Sequence, residues 1–182
     1  ENAYSFLTAY NITDLGNITL LDKFQPSPGS GSVVHNTLVK NDWAVTSWYT
    51  DGVVIVDVHR PHNLVQVCRY DTFTDTGSGF KGNWGIYPFL PSGNLLVSNI
   101  EDGLFVFTPA YTRASYLEGV VSDSVSGMPL NNVLVKITAQ NTFDKRSDIS
   151  GSYKTGYYDP GTYTVTYSKT SYTTKIINGV NL

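Results

Sequence analysis

Three histidines are the side chains of this sequence best suited to bind a metal or to exchange a proton near neutral pH. His59 and His62 lie three residues apart in VHRPHN, where Pro61 favours an extended or turning backbone. Two such histidines could supply two metal ligands, but zinc needs further His, Cys or carboxylate ligands. Asp57 is the only adjacent candidate. The pattern therefore favours a solvated turn between strands, and we predict neither a metal nor another cofactor.

Carboxylates are the next candidates for chemistry. Asp71, Asp75 and Glu101 could be paired for acid–base hydrolysis, but spacing in the sequence says nothing about their separation in space. Glu101 and Asp102 are expected to cap a hairpin. The sequence also contains no HExxH, GxSxG or Walker motif. We therefore predict a protein that is not an enzyme.

Charge and cysteine content exclude several classes of protein. A net charge of -3 without a basic stripe argues against nucleic-acid binding, and no apolar run is long enough for membrane insertion. The single cysteine, Cys68, lies in the strand-like LVQVCRY without a nearby His or Lys, which predicts a buried structural thiol. The sequence does not open with a signal peptide, so we expect a mature, processed or partial chain.

The elements that carry these residues are short strands separated by turn signals, and part of the pattern repeats. WAVTSWYTDGVVIVD and NLLVSNIEDGLFVF each read as strand, Asp-Gly turn and strand, with Asp51 and Asp102 separated by 51 residues. A weaker echo matches Leu7 with Val53. A repeat of about 40–50 residues with four strands is typical of a β-propeller blade. Because Asp-Gly supplies the positive φ of a tight hairpin, we interpret both aspartates as turn residues rather than calcium or substrate ligands.

The predicted fold class is all-β, with the C-terminal blades of a β-propeller followed by a small antiparallel β-sandwich. Residues 1–109 would form an incomplete propeller, because two repeats cannot close a ring of about four to eight blades. The other blades would come from an upstream segment or another chain. Residues 110–115 are a predicted linker. Residues 116–182 show about seven short alternating strands, in which Val133, Val135 and Ile137 face one way.

His35 and Trp84 are the candidates for contact with a ligand. His35 is expected to begin a strand near the propeller axis, and Trp84 occupies the equivalent place in the next blade. Either His35 is simply satisfied at the inner rim of its blade, or it contacts a ligand in the central channel. The aromatic residues of the repeat could likewise bind sugars or partners, although in propellers they more often fill the space between blades.

Five stretches resemble the choice-of-anchor B group of LVIVD-repeat proteins: HNTLV (35–39), TDGVVIVDV (50–58), PHNLV (61–65), YDTF (70–73) and GNWGIYPFLPSGNLLVSNIEDGLFVF (82–107). The resemblance implies a bacterial, Bacteroidetes-type β-propeller that is secreted or attached to the cell surface. It also implies that Gly103 lies in the final blade. Such proteins often use type IX secretion. The resemblance implies no catalytic residues.

The second half is similar to carboxypeptidase regulatory-like domains, which are transthyretin-like β-sandwiches. LEGVVSDSVSGMPLNNVLVKI, SDISGSYKTG and GTYTVTYSKTSY carry the similarity, and Ser171-Tyr172 stands where the family usually has Gly-Tyr. This resemblance implies a non-catalytic spacer or docking unit. Asp123-Ser124-Val125 also resembles the acceptor pattern of Bacteroidetes secretory O-glycosylation, which makes Ser124 a candidate glycosylation site.

Together these observations predict a non-catalytic structural or interaction protein at the bacterial cell surface. Its partners would be the remaining propeller blades or other polypeptide chains. The alternative is a propeller that binds a carbohydrate or a metal, or that hydrolyses a substrate, at a central channel completed by other blades. Surface glycans would be partners in that case. His35 and Trp84 would contribute to that channel.

Overall fold

The chain consists of two compact units, Glu1–Arg113 and Ala114–Leu182, in a computed structural model that describes residues 5–138 and 145–182. Strands and turns account for the ordered elements of these ranges, so the predicted all-β class is confirmed. No helix that could cross a membrane is found in them. Each unit has its own antiparallel sheets.

The first unit contains nine strands within its described residues. They are β1 (Leu7–Asn11), β2 (Thr19–Phe24), β3 (Thr37–Lys40), β4 (Trp43–Ser47), β5 (Val53–Asp57), β6 (Val65–Tyr70), β7 (Asn83–Tyr87), β8 (Leu95–Asn99) and β9 (Gly103–Phe107). They form a two-stranded sheet β1-β2, a four-stranded sheet β3-β4-β5-β6 and a three-stranded sheet β7-β8-β9. In every sheet, consecutive strands are neighbours, as in a meander.

The centre of the four-stranded sheet is buried on both faces. All five residues of β5 are buried, as are four of the five in β4. A strand covered on both sides favours an uninterrupted apolar run, and this explains why Val53–Asp57 reads VVIVD without alternation. Trp48 is fully buried next to this sheet and packs edge-on against Phe24. The sheet therefore supplies the core of the first unit.

The three-stranded sheet has one buried face and one exposed face. Leu95 and Val97 of β8 are buried at 1% and 0% exposure. On the opposite face, Leu104 and Val106 of the edge strand β9 are 65% and 57% exposed. This exposed apolar face is the clearest departure from an ordinary protein surface in the first unit.

The two Asp-Gly turns have the predicted geometry. Gly52 and Gly103 have φ of 77° and 83°, so the positive φ expected at both hairpins is confirmed. The prediction that Glu101 and Asp102 cap the second hairpin is wrong. Asn99 caps it, because its side-chain oxygen accepts the N–H groups of both residues at 2.8 and 3.0 Å. The Glu101 carboxylate instead accepts the N–H of Gly82 at 2.7 Å.

The second unit contains six strands within its described residues. They are β10 (Ser115–Val120), β11 (Leu134–Thr138), β12 (Lys145–Arg146), β13 (Ser152–Tyr157), β14 (Thr162–Ser168) and β15 (Lys175–Asn181). One sheet has the order β10-β13 and the other β12-β11-β14-β15. About seven strands were expected.

The core of the second unit follows the predicted alternation. Val133, Val135 and Ile137 are 3%, 0% and 2% exposed, so their common inward face is confirmed. Val135 pairs with Tyr167 and Ile137 with Val165 across β11 and β14. Burial of alternate residues on one face is the arrangement expected of a sandwich sheet.

Cys68 corrects another expectation. It lies on β6, as predicted, but its side chain is exposed rather than buried. The strand β6 is the edge strand of its sheet, and Cys68 is exposed there whereas Val65 and Val67 are buried. Partial burial of the sulfur nevertheless raises the pKa of the thiol, against an opposing hydrogen bond from the Arg69 backbone. A raised pKa leaves less thiolate at neutral pH, so the thiol is less reactive than an ordinary one.

Candidate functional site

The segment before β3 positions the first candidate residue. His35 was expected to begin a strand, but β3 begins two residues later at Thr37. The His35 N–H donates to the Ser47 carbonyl at 2.9 Å, and the Asn36 N–H donates to the Ser47 hydroxyl at 3.0 Å. These bonds hold His35 beside the end of β4, where its ring can reach the next sheet.

The structure brings His35 and Trp84 into direct contact. Their rings are stacked, with centroids 5.4 Å apart and planes inclined by 25°. The Tyr49 ring lies 5.1 Å from the His35 ring, and Phe80 packs edge-on against Tyr49. We call these four side chains the His35–Trp84 site. Tyr49 is buried, but Trp84 and Phe80 are 54% and 73% exposed and His35 is exposed, so three of the four rings are open to solvent.

The contacts of Nδ1 favour one of the two tautomers of the neutral His35 ring. Nδ1 lies 2.6 Å from the Trp84 carbonyl oxygen, which can only accept, so Nδ1 is the donor in the neutral ring. The same oxygen accepts from Asn36 Nδ2 at 3.2 Å and from Ser47 Oγ at 3.1 Å. Asn36 Nδ2 is also 2.8 Å from Nδ1 and would donate to it in the other tautomer, in which Nδ1 would face the Trp84 carbonyl oxygen without a proton. Nε2 of the neutral ring is therefore an acceptor.

This arrangement suits binding better than catalysis. An acceptor nitrogen beside an exposed indole can hold a hydroxyl or amide donor while a flat apolar face stacks on the ring. Among the residues that the structure describes, no carboxylate forms a hydrogen bond with the His35 ring. The site thus lacks the acid that orients the histidine of a nucleophilic triad.

The tautomer of His35 is open to direct measurement. We expect a ¹⁵N-correlated NMR spectrum above pH 8 to show His35 protonated at Nδ1, because the Trp84 carbonyl accepts that proton. The side chain of His59 serves as an internal control, since its Nδ1 faces the Asp42 carboxylate at 3.3 Å. A His35 ring protonated at Nε2 would contradict the hydrogen-bond assignment.

The second histidine pair, His59 and His62, lies in the turn between β5 and β6. The His59 N–H donates to the buried Asp57 carboxylate at 2.9 Å, which fits the predicted turn between strands. The Asp57 carboxylate forms an ion pair with Arg113, whose Nη1 lies 2.9 Å from Oδ1. The described ranges contain no group of three or more His, Cys, Asp or Glu side chains that could hold a metal.

The three carboxylates considered for hydrolysis each serve a loop. Asp71 accepts the N–H of Phe73 and Asp75 that of Thr76, at 2.9 and 2.8 Å. Glu101 binds the backbone as described above. Short polar side chains often stabilise turns in this way, so these bonds account for all three residues without a catalytic role.

Asp51 does more than form its turn. Its N–H donates to the Trp48 carbonyl at 2.6 Å, as expected of a hairpin residue. Its carboxylate, 6% exposed, also forms an ion pair with Arg69 Nη2 at 2.7 Å, and Arg69 Nε donates to the Asp51 carbonyl at 2.9 Å. This contact could not be predicted from the sequence, because Asp51 in the turn between β4 and β5 and Arg69 on β6 are 18 residues apart.

A cluster around Arg113 was also missed from the sequence. The guanidinium bridges Asp57 and Asp42, each at 2.9 Å, and lies 4.9 Å from the centre of the Trp43 ring. Trp43 Nε1 donates to the Thr112 carbonyl at 3.0 Å. Residues 112 and 113 of the predicted linker are therefore fastened to the first unit. The only signal was an Arg among aromatic residues in AYTRASY.

The Arg113 cluster adds a dependence of stability on pH. The hydrogen bond from Arg113 lowers the pKa of Asp42, partial burial opposes this change, and His59 adds to the lowering. A carboxylate whose pKa is lower in the folded state stabilises the fold at pH values above its ordinary pKa. That contribution is lost as the pH falls through the lower pKa of the folded protein.

Ser124 lies in an exposed turn of the second unit. The Asp123 carboxylate accepts the N–H groups of Val125 and Ser126 at 2.9 and 2.7 Å, which leaves the Ser124 side chain exposed. Glycosylation of Ser124 remains a prediction. We expect the intact mass of protein from its source to exceed the sequence mass by whole hexose units, and Ser124→Ala to remove that excess. A measured mass equal to the sequence mass would contradict the glycosylation of Ser124.

Fold and site together define an all-β protein with two antiparallel units and an exposed histidine–aromatic surface on the first. Comparisons with protein-family models, with curated proteins and with solved structures find no match for this chain.

Proposed function

We propose that this chain is a non-catalytic structural or interaction protein of the bacterial cell surface or secreted fraction. Its first unit would be the C-terminal part of a larger β-propeller, and its second unit a β-sandwich spacer or docking module. The observation that carries this proposal is the exposed apolar face of the three-stranded sheet β7-β8-β9.

The two copies of the internal repeat can be compared strand by strand, with the four-stranded sheet of the first copy as the reference. Sheet β3-β4-β5-β6 has four strands, and β6 pairs with β5, so β5 does not lie at an edge. In the next repeat, β9 occupies the position of β5 and lies at an edge. Aligned on their Asp-Gly turns, Leu104 matches Val53 and Val106 matches Ile55. Exposure rises from 4% to 65% in the first pair and from 2% to 57% in the second.

An exposed apolar strand at a sheet edge favours association with another strand or sheet. In the proposed assembly the partner is another part of the propeller, which either an upstream segment or another chain supplies. The resemblances to LVIVD-repeat and carboxypeptidase regulatory-like proteins support this interpretation. They are also the basis for proposing a Bacteroidetes-type source and type IX secretion.

Mass measurement on protein from its source tests the proposal. We expect either a longer covalent chain or a complex that releases a lighter chain on denaturation. Leu104→Lys with Val106→Lys places two positive charges on the apolar face and should therefore lower the recovery of the assembly. Leu15→Lys, at a position 78% exposed in the turn between β1 and β2 of the same unit, is the control. A monodisperse monomer of this chain under both native and denaturing conditions would overturn the proposal.

The alternative function is a ligand-binding or hydrolytic propeller. The Nε2 acceptor and the exposed Trp84 indole of the His35–Trp84 site favour it, with residues from other blades completing a central channel. Calorimetric titration with zinc and with neutral oligosaccharides tests this alternative. Binding that is lost in both His35→Ala and Trp84→Ala would support it, and no binding of either probe would exclude these ligands.

A further inference from the structure

An open groove of about 840 Å³ lies within the second unit. The loop after β10 forms one wall, and the turn into β15 forms the other. Of its seventeen lining residues, eight carry a hydroxyl group, which is a high proportion for a cavity of this size. The groove is therefore rich in groups that both donate and accept hydrogen bonds.

Two tyrosines of the lining leave one proton available to a ligand. The hydroxyl oxygens of Tyr153 and Tyr167 are 2.9 Å apart, so one phenol donates to the other. Neither oxygen has a second hydrogen-bond partner among the residues that the structure describes. Burial, followed by the Tyr167 hydrogen bond, raises the pKa of Tyr153 well above its ordinary value, so this phenol stays protonated at neutral pH. The second phenolic proton can be donated into the groove.

Charged side chains give the groove a net positive charge, although the whole chain has a net charge of -3. Lys169 and Lys175 contribute two ammonium groups, and Asp123 is the one carboxylate of the lining. Lys169 Nζ donates to the Asn131 carbonyl and lies 6.0 Å from the centre of the Tyr172 ring, contacts that hold it near the groove. Asp123 is engaged in its own turn. The local charge therefore favours an anionic ligand.

We propose that this groove binds an oligosaccharide that carries carboxylate groups. The sugar hydroxyls would match the hydroxyl groups of the lining, and the carboxylates would pair with Lys169 and Lys175. The Tyr172 ring, 43% exposed, offers a face on which a sugar ring can stack. An acidic peptide is the weaker match, because strand-like peptides are selected by pockets for alternate side chains.

This inference does not depend on the proposed propeller assembly. All of its residues belong to the second unit, whereas the assembly rests on β7–β9 of the first. The two ideas can therefore fail separately.

Calorimetric titration of the full chain, residues 1–182, with an oligogalacturonate tests the site. We expect binding at low salt, weaker binding at high salt, and at least about tenfold weaker binding of the neutral methyl ester. The absence of oligogalacturonate binding, or equal binding of the ester, would overturn the proposal. Tighter binding of an oligoglutamate would also overturn it, in favour of an acidic peptide.

Substitutions locate the binding. Lys169→Met with Lys175→Met should weaken it about tenfold, and Tyr167→Phe about threefold, because each removes a donor to the ligand. Lys154→Met is the matched control, since Lys154 is exposed but lies outside the lining, and it should leave binding unchanged. Near-ultraviolet circular dichroism reports whether each variant keeps its fold. A double lysine variant that is folded and binds as tightly as the native protein would refute the assignment.

Discussion

Gly52→Ala is expected to destabilise the first unit by about 4 kcal/mol, the sum of backbone strain and an overlap that the fold cannot relieve. Gly52 has φ of 77°, a conformation unfavourable for alanine. An added Cβ would also lie 2.1 Å from the Tyr70 carbonyl oxygen and 2.8 Å from the Asp71 Cα. Both are backbone atoms at the end of β6, so no side chain can rotate away. Urea unfolding followed by tryptophan fluorescence measures the loss.

Gly103→Ala is the matched control. Gly103 occupies the same position in the second Asp-Gly turn with φ of 83°, yet nothing lies within 4 Å of the Cβ position. Only the strain remains, and we expect a loss of about 1–2 kcal/mol. Equal losses in the two variants would show that crowding at Gly52 is relieved by backbone movement.

The same comparison extends to the proposed assembly. Gly52 is crowded because the chain continues from β6 past the turn, whereas no further strand pairs with β9 in the part of the chain that the structure describes. If another strand covers β9 in the complete protein, Gly103 should become crowded in the same way. Gly103→Ala would then weaken the assembly by more than the strain of about 1–2 kcal/mol that it costs the isolated chain.

Local patterns predicted most of the strands. The run WAVTSWYTDGVVIVD was expected to form a strand, an Asp-Gly turn and a second strand, and it contains β4, the turn and β5. Asp-Gly turns and alternating apolar residues are local signals, so a sequence can specify them without knowledge of the fold. The two-residue strand β12 was missed, because Lys145 and Arg146 are too few to form a pattern.

Contacts between distant residues could not be predicted. His35 and Trp84 were each selected as candidates, but their contact spans 49 residues and depends on how two sheets pack. Glu101 and Asp102 were predicted to cap the hairpin, but Asn99 caps it. The sequence does not decide between them, because several polar side chains near a turn can compete for the same N–H groups.

The Arg113 cluster provides the second large expected effect. Arg113→Met should lower the midpoint of thermal unfolding of the first unit by about 10 °C. Asp57 is fully buried, and Arg113 Nη1 is its charged partner at 2.9 Å. Removal of the guanidinium takes a positive charge and a hydrogen bond away from a carboxylate with little access to water, which is the costly way to break a buried ion pair. Circular dichroism during heating at pH 7 measures the change.

A double variant separates two effects of Arg113→Met. One is the loss of the positive charge beside the Asp57 carboxylate, and the other is the loss of the packing of the arginine side chain. Asp57→Asn added to Arg113→Met removes the charge but keeps an oxygen that can accept the His59 N–H. If the uncompensated Asp57 charge causes the loss of stability, the double variant should recover more than half of the decrease in the unfolding midpoint. If the double variant is as unstable as Arg113→Met, the loss comes instead from the packing of Arg113 on the Trp43 ring, where its guanidinium lies 4.9 Å from the centroid. The ion pair would then contribute little net stability, as is common for buried pairs whose attraction only offsets the cost of desolvation.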